Sequence, residues 1–409
     1  MKVIPEARLM PSRYSLRITR DLLNFLTVLL NRIAVKIAFF LNGFIYANWV
    51  SRLPRIQEQY QADNGTIGLV LLALALGALA AMPFTGWLII RNGSRKVSLA
   101  SLFIYCAFVP FIPFMAGILS LILLYIIIGI STGMLDVAMN AQAVMVEREY
   151  KKPIMTSFHA FFSIGMALGA WCGAFFADLK LDLSHHFMIV SALSLVFVLW
   201  VRRNLIEDKP DIGDVTDGPL FRMPNRALLS VGIIAFCCML GEGAVSEWSV
   251  MYMEKIAHAT EMLAPIALSA FATAMTLGRL LGDRFRAAWG DMKLIVYGGL
   301  ISILGMTTAL SFPLPYVTIT GFFFVGLGLS TIVPITYSIA GNAKGLPSGV
   351  GLAMVTTVGY SGFLFGPPII GFLADLSNLR NALITVAVLF VLMTLLGWVR
   401  NYRHETVEP

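Results

Sequence analysis

The chain has 409 residues, of which 58% are hydrophobic and 13% charged, with a mean hydropathy of +0.79. A soluble domain of that length needs far more polar surface to cover its core, so the composition excludes one. The net charge of +7 invites a nucleic-acid partner, but the charges stand in short loops between apolar runs, where membrane topology explains them; no nucleic-acid partner is expected.

Lipid offers a bare backbone no hydrogen bonds, so apolar runs of roughly 20 residues cross hydrocarbon as helices. The runs here lack the alternation of a barrel strand. Residues 1–32 read as a cytoplasmic N-terminal extension. Within it, the apolar stretch 22–30 lies between Arg20 and Arg32 and reads either as an interfacial helix on the cytoplasmic face or as sequence upstream of the true start. No cleavable leader is expected, because no small-residue cleavage site precedes a polar domain. Twelve spans follow, at 33–53, 66–90, 97–116, 120–146, 155–178, 186–201, 227–251, 262–282, 293–312, 315–341, 350–374 and 380–399. They form a six-helix bundle over 33–201, a polar cytoplasmic linker over 202–226 with three prolines, a second six-helix bundle over 227–400 and a cytoplasmic tail over 401–409. With both termini in the cytoplasm, 24 lysines and arginines face inward and five outward, a strong positive-inside signal that predicts a multi-pass inner-membrane protein.

The two bundles align at one ungapped shift of 197 residues. It pairs Gly93 with Gly290, Lys96 with Lys293, Gly129 with Gly326, Gly165 with Gly362 and Gly169 with Gly366. It also pairs Phe175, Ala177, Asp178 and Leu179 with Phe372, Ala374, Asp375 and Leu376. A shift of six spans keeps the membrane orientation, so this is a parallel repeat. That is the plan of a large class of secondary transporters with the solute site between halves.

Charged and polar groups inside spans are costly without a partner or a wet cavity, so each is a candidate. On the first span Asn42, Tyr46 and Trp49 form an i, i+4, i+7 stripe suited to a polar solute, with Trp49 equally an interfacial anchor. On the fourth, Asp136, Asn140 and Glu147 share one face at about 100° per residue. Asp136 there is a solute contact or proton carrier, or else a hydrogen bond between helices. His159, one turn into the fifth span, is a proton relay or a packing residue. In the seventh, Glu242 between Gly241 and Gly243 is a proton site, and Glu247 is a solute contact or a hydrated surface group. Arg279 and Asp283, spaced i, i+4 at the inner end of the eighth span, suggest an ion pair acting as gate or helix lock. Pro334, Thr336 and Tyr337 suggest a distorted, polar-lined tenth helix. The four cysteines lie in apolar runs and read as packing residues. The sequence has no G-x-x-x-x-G-K-[ST] phosphate loop, no zinc-ligand spacing and no nucleophile–base set, so neither a metal, a cofactor nor an enzyme is expected.

Four segments together resemble the major facilitator superfamily, and within it the YbjJ-type inner-membrane permeases, distant relatives of fucose permeases. They are Asn42-Gly43 through Trp49 with Ser51-Arg52 and Pro54; Asp136-Val137-Ala138-Met139-Asn140 through Val146-Glu147, then Ser157-Phe158-His159; Glu242-Gly243-Ala244 with Glu247-Trp248; and Gly278-Arg279-Leu280-Leu281-Gly282-Asp283-Arg284. The resemblance implies alternating access by rocking of two halves, with a cavity lined by helices one, four, seven and ten. It also implies proton coupling through cavity acids, for which Asp136 and then Glu242 match best. The family's loop signature G-x-L-x-D-R-x-G-R-[RK] is met by Gly86, Leu88, Arg91, Gly93 and Lys96, but Ile90 stands where the acid belongs. The gating relay of Arg91 is then broken or completed by Glu147 or Asp283.

These observations predict an all-α membrane protein of the major facilitator fold, a monomer in the lipid bilayer that moves a small polar solute with protons. Two alternatives stay open: a proton-driven exporter of amphipathic compounds, and a non-transporting membrane receptor. No ATP-binding segment is evident, so an ion gradient or passive flow must drive any transport.

Overall fold

In the computed structural model the described residues are 13–151, 154–208, 226–343 and 348–407. They form fourteen α-helices: α1 (Arg13–Val50), α2 (Leu53–Gln59), α3 (Asn64–Asn92), α4 (Ser94–Phe108), α5 (Ile118–Tyr150), α6 (Met155–Asp178), α7 (Leu183–Asn204), α8 (Arg226–Lys255), α9 (Ala264–Trp289), α10 (Asp291–Ser311), α11 (Pro315–Leu329), α12 (Ile332–Gly341), α13 (Ser348–Leu376) and α14 (Leu379–Val407). Twelve crossings are long and apolar enough to span a membrane. The third continues α4 into a 3-10 turn at Val109–Phe114, where Pro110 and Pro113 lack the N–H groups that an α-helical ladder needs. The tenth is α11 followed by α12, with Pro334 held in the first turn of α12, where a missing N–H is harmless. This is the distortion that Pro334 implied.

The first span differs from the sequence reading at both ends. The first span stops at Val50 rather than 53, because Pro54 opens the separate short helix α2. At its other end the backbone of α1 runs unbroken from Arg13, so the stretch 22–30 continues the first span instead of forming a helix of its own. At 38 residues α1 is roughly 57 Å long, well beyond a hydrocarbon core of about 30 Å. Residues 1–12 of the expected extension, 209–225 of the expected linker and the last two residues of the tail lie outside the described residues.

The internal repeat is a repeat of packing. Gly129 of α5 sits so close to the Leu74 carbonyl of α3 that any side chain there would collide with backbone. Gly326 of α11 stands in the same way against the Phe271 carbonyl of α9, and both members of the pair are shifted by 197 residues. Gly165 against Phe40 and Gly362 against Phe236 repeat the relation for α6–α1 and α13–α8. Gly93 and Gly290 adopt φ of +82° and +77° at matching helix junctions, a backbone region that glycine reaches without strain. Large apolar side chains such as Phe103, Trp171, Leu199, Leu304 and Val388 are exposed, as a lipid solvent permits. Cys106, Cys237 and Cys238 are buried and none of the four cysteines is bridged, in line with packing roles.

Close to the loop where Ile90 replaces the signature acid, a different acid caps the next helix. Asp208, just past α7, accepts the backbone N–H groups of Ser94 (2.5 Å) and Arg95 (3.2 Å) at the start of α4. Gln142 of α5 secures the same corner: its amide donates to Ser94 Oγ (2.8 Å) and the Ile206 carbonyl, and its oxygen accepts from Ile206 N (3.0 Å). Asp208→Ala removes an acceptor for two otherwise orphaned N–H groups, and is expected to lower stability by about 1 kcal/mol. A melting curve of the detergent-purified variant checks this; an unchanged midpoint contradicts it.

The halves meet tightly at the end of the bundle opposite the α7–α8 linker. Arg55 of α2 pairs with Glu254 of α8 (2.6 Å) and with Glu261 beyond it (3.1 Å). Lys255 of α8 donates to Gln57 of α2. Asp375 of α13 accepts the first N–H groups of α3, Asn64 N (3.0 Å) and Gly65 N (2.6 Å), so one half caps a helix of the other. Asp63 caps the same helix from its own half, and the Thr66 hydroxyl and N–H hold its carboxyl below the usual carboxylate range.

Candidate functional site

Between the halves lies a cleft of about 810 Å³, open mouth included. Its lining comes from α1 (Tyr46), α3 (Leu74, Ala75, Ala78, Leu79, Met82), α6 (Phe162, Met166), α8 (Glu242, Gly243, Ser246, Glu247) and α13 (Tyr360, Phe363, Leu364). Most of these are apolar or aromatic, and the carboxylates of Glu242 and Glu247 are the charged groups among them. A smaller hollow of about 350 Å³ lies toward the linker end, lined by Thr156 of α6, Arg279, Gly282 and Arg286 of α9, and Ser330, Thr331, Pro334 and Ile335.

Arg279 and Glu242 join these two spaces. The Arg279 guanidinium donates to Glu242 Oε1 (3.2 Å) and to Ser163 Oγ of α6 (2.7 Å). Their side chains are only 14% and 16% exposed. One arginine thus ties α8 and α9 of the second half to α6 of the first. Beyond the expected i, i+4 neighbour, Arg279 reaches across helices to a group 37 positions away. The Asp283 side chain lies outside the described residues. His159 stands one turn before Ser163, edge-on to Phe39 at 5.1 Å and within electrostatic range of Arg279.

Asp136 of α5 and Glu242 both lie within electrostatic range of Tyr337 of α12 and Tyr360 of α13; of these four, Glu242 and Tyr360 line the cleft. Asn140 turns back on its own helix, its amide donating to the Asp136 carbonyl (2.8 Å) and more weakly to Oδ1 (3.4 Å). The Tyr337 hydroxyl points at Met239 Sδ (3.7 Å). Tyr46 lines the cleft, whereas Asn42 is buried in α1 at 7% exposure and is not among the cleft-lining residues.

Three expected roles look different in three dimensions. Trp49 is neither an anchor nor a cleft residue: it is fully buried, donates from Nε1 to Tyr105 Oη (3.3 Å) and packs edge-on against Tyr125. Glu147 accepts the N–H groups of Ile154 (2.7 Å) and Met155 (2.8 Å), so it caps α6 at the α5–α6 turn. Arg91 stacks on Trp87 of its own helix at 4.6 Å. Tyr360, Phe363 and Ser246 escaped the sequence reading; only helical phase relative to Glu242 and the α13 glycines could have pointed to them.

The comparisons agree with this architecture. The model of the Major Facilitator Superfamily matches residues 35–346. An uncharacterised MFS-type transporter of Yersinia pestis is 34% identical over 88% of this chain and 93% of its own length. Membrane protein MosC of Rhizobium meliloti is 32% identical over 92% of this chain and 91% of its own. A crystal structure of the nucleoside transporter NupG, in mutant form, aligns at a TM-score of 0.71 over 90% of this chain and 98% of that one; at 15% identity it speaks for the fold alone. The receptor expectation is thereby set aside, and the chain is no enzyme. With twelve crossings among the described residues, a packing repeat and a cleft between the halves, it is a multi-pass membrane transporter and belongs to the Major Facilitator Superfamily.

Proposed function

We propose that the chain is a proton-coupled secondary transporter of a small polar solute, working as a monomer by alternating access. The observation that carries this reading is the Glu242–Arg279–Ser163 link between halves at the cleft, with Asp136 within electrostatic range of the cleft residue Tyr360. A buried ion pair of this kind is bistable: it holds while its partners stay in register and is costly to separate without a substitute. Asp136 is the group that takes up and releases the proton, with Glu242 second. Asn42, Tyr46, Asn140, His159, Glu247 and Tyr337 shape the solute path.

The positive-inside balance orients the α7–α8 linker and both termini to the cytoplasm of an inner membrane. The tight end built from Arg55, Glu254, Lys255 and Asp375 is then the external gate, drawn shut. Arg279, standing between the two hollows, couples the site to the internal gate, where Arg91, Glu147 and Asp283 lie. A second reading, export of amphipathic compounds, is favoured by the apolar wall of Leu74, Leu79, Met82, Phe162 and Met166.

A thermal-shift screen of the purified protein against sugars, organic acids, amino acids, nucleosides and cationic drugs tests this proposal, with Asp136→Asn in parallel. A ligand that stabilises the wild type and not the variant supports a site that includes Asp136. Stabilisation by bulky apolar cations only, equal in both proteins, favours export of amphipathic compounds. No shift with any ligand removes the support for Asp136.

A further inference from the structure

Among the described residues the carboxyl group of Glu247 has no counterpart. The residue is 8% exposed, its Oε2 atom is buried without a hydrogen-bond partner, and among the described residues it forms no ion pair. Yet it lines the cleft, five positions along α8 from Glu242. Glu242 differs in just this respect, since Arg279 meets its charge. A carboxyl group that is desolvated and unpaired is costly as an anion, so it stays neutral until a cation supplies the missing charge.

The surroundings narrow the ligand. Tyr46 stands within electrostatic range of Glu247, and Phe162, Tyr360 and Phe363 complete an aromatic wall, the last two with ring centroids 6.4 Å apart. Aromatic faces and a carboxylate both attract a cation, and the aromatic faces also take an apolar body. A neutral polyol would need several neutral donors and acceptors, whereas near Glu247 the cleft presents chiefly Ser246 and tyrosine hydroxyls. An anion would not supply the positive charge that Glu247 lacks.

Building on the transporter reading above, we propose that Glu247 and the Tyr46–Phe162–Tyr360–Phe363 wall form a subsite for an organic ammonium group, and that the solute is a cation with an apolar or ring-shaped body. Glu247 anchors the charge, the aromatic rings hold the body, and the Glu242–Arg279 pair bounds the site on the linker side.

The probes are tetramethylammonium, benzyltrimethylammonium and tetrabutylammonium, which carry a permanent charge and span a range of sizes. Neopentylbenzene, the neutral isostere of benzyltrimethylammonium, and phenylacetate serve as controls. Binding is measured by titration calorimetry on the full chain in detergent, without any gradient. At least one of the three cations is expected to bind the wild type about tenfold or more tightly than Glu247→Gln, with phenylacetate not binding. Gln keeps the shape of Glu and removes the group that ionises, so the variant should melt no lower than the wild type. Tyr360→Leu is the second variant; it should weaken cation binding and spare neopentylbenzene. Failure of all three cations to bind, or equal cation binding by wild type and Glu247→Gln, overturns the proposal. Because no gradient is present, this result stands apart from proton coupling: cation binding without proton-linked flux in liposomes would sink the coupling and keep the subsite.

Discussion

Asp136→Asn is expected to abolish proton-driven accumulation while leaving solute exchange intact. The substitution keeps the size and planar end of the side chain and removes only the titrating group. The amide of Asn140 donates mainly to the Asp136 carbonyl, a backbone atom that the change does not touch, so α5 should keep its local geometry. What is lost is the free-energy link to the gradient. One pH unit across the membrane is worth about 1.4 kcal/mol per proton, enough for roughly tenfold accumulation of a solute carried with one proton. In proteoliposomes under such a gradient the wild type should approach that ratio and the variant should stay near unity, while both exchange labelled for unlabelled solute. Uphill uptake by the variant equal to the wild type removes Asp136 from the coupling.

The second large effect is at Arg279. Replacing it with Met leaves the Glu242 carboxylate, 16% exposed, without its ionic partner and frees Ser163 Oγ as well. Removing one member of a buried pair costs about 3–5 kcal/mol, most of it the penalty of the charge left behind. Arg279→Met alone should therefore melt far below the wild type or fail to accumulate in the membrane. Adding Glu242→Gln removes the stranded charge and should recover much of that loss without restoring transport. Arg279→Lys keeps the charge but not the two-pronged reach to Glu242 and Ser163, so it should fold and transport poorly. If the single Met variant is as stable as the wild type, the pair carries no structural weight.

The sequence revealed the architecture because architecture follows from periodic, local signals. Span length, charge bias and proline positions set where helices begin, end and break, and Pro334 marked a real interruption. The 197-residue shift foretold packing pairs as well as matching letters, since Gly129 and Gly326 meet equivalent carbonyls in their own halves. The polar residue between two glycines pointed to Glu242, which does line the cleft.

Partners across helices were another matter. Phase tells which way a side chain leaves its helix, not which helix it meets. Arg279 had an obvious neighbour at i+4, yet the described contacts run to Glu242 and Ser163. Trp49 looked amphipathic on a helical stripe, but its ring is buried in the core of its half while Tyr46 on the same stripe lines the cleft. Asp208 lies 118 positions after Ile90 in the chain and only the fold brings it to the start of α4. Asp375 was visible as half of a repeat match, while its task, capping α3 of the opposite half, needed three dimensions.

The central claim is that solute movement through the cleft is tied to proton movement. Proteoliposomes holding the full chain and a trapped pH-sensitive dye test it most directly, with the best ligand from the thermal-shift screen added outside and no gradient imposed. Proton-coupled transport predicts a change in lumenal pH that follows solute entry, vanishes with a protonophore and is absent from Asp136→Asn. Solute entry with no proton movement in the wild type would contradict it.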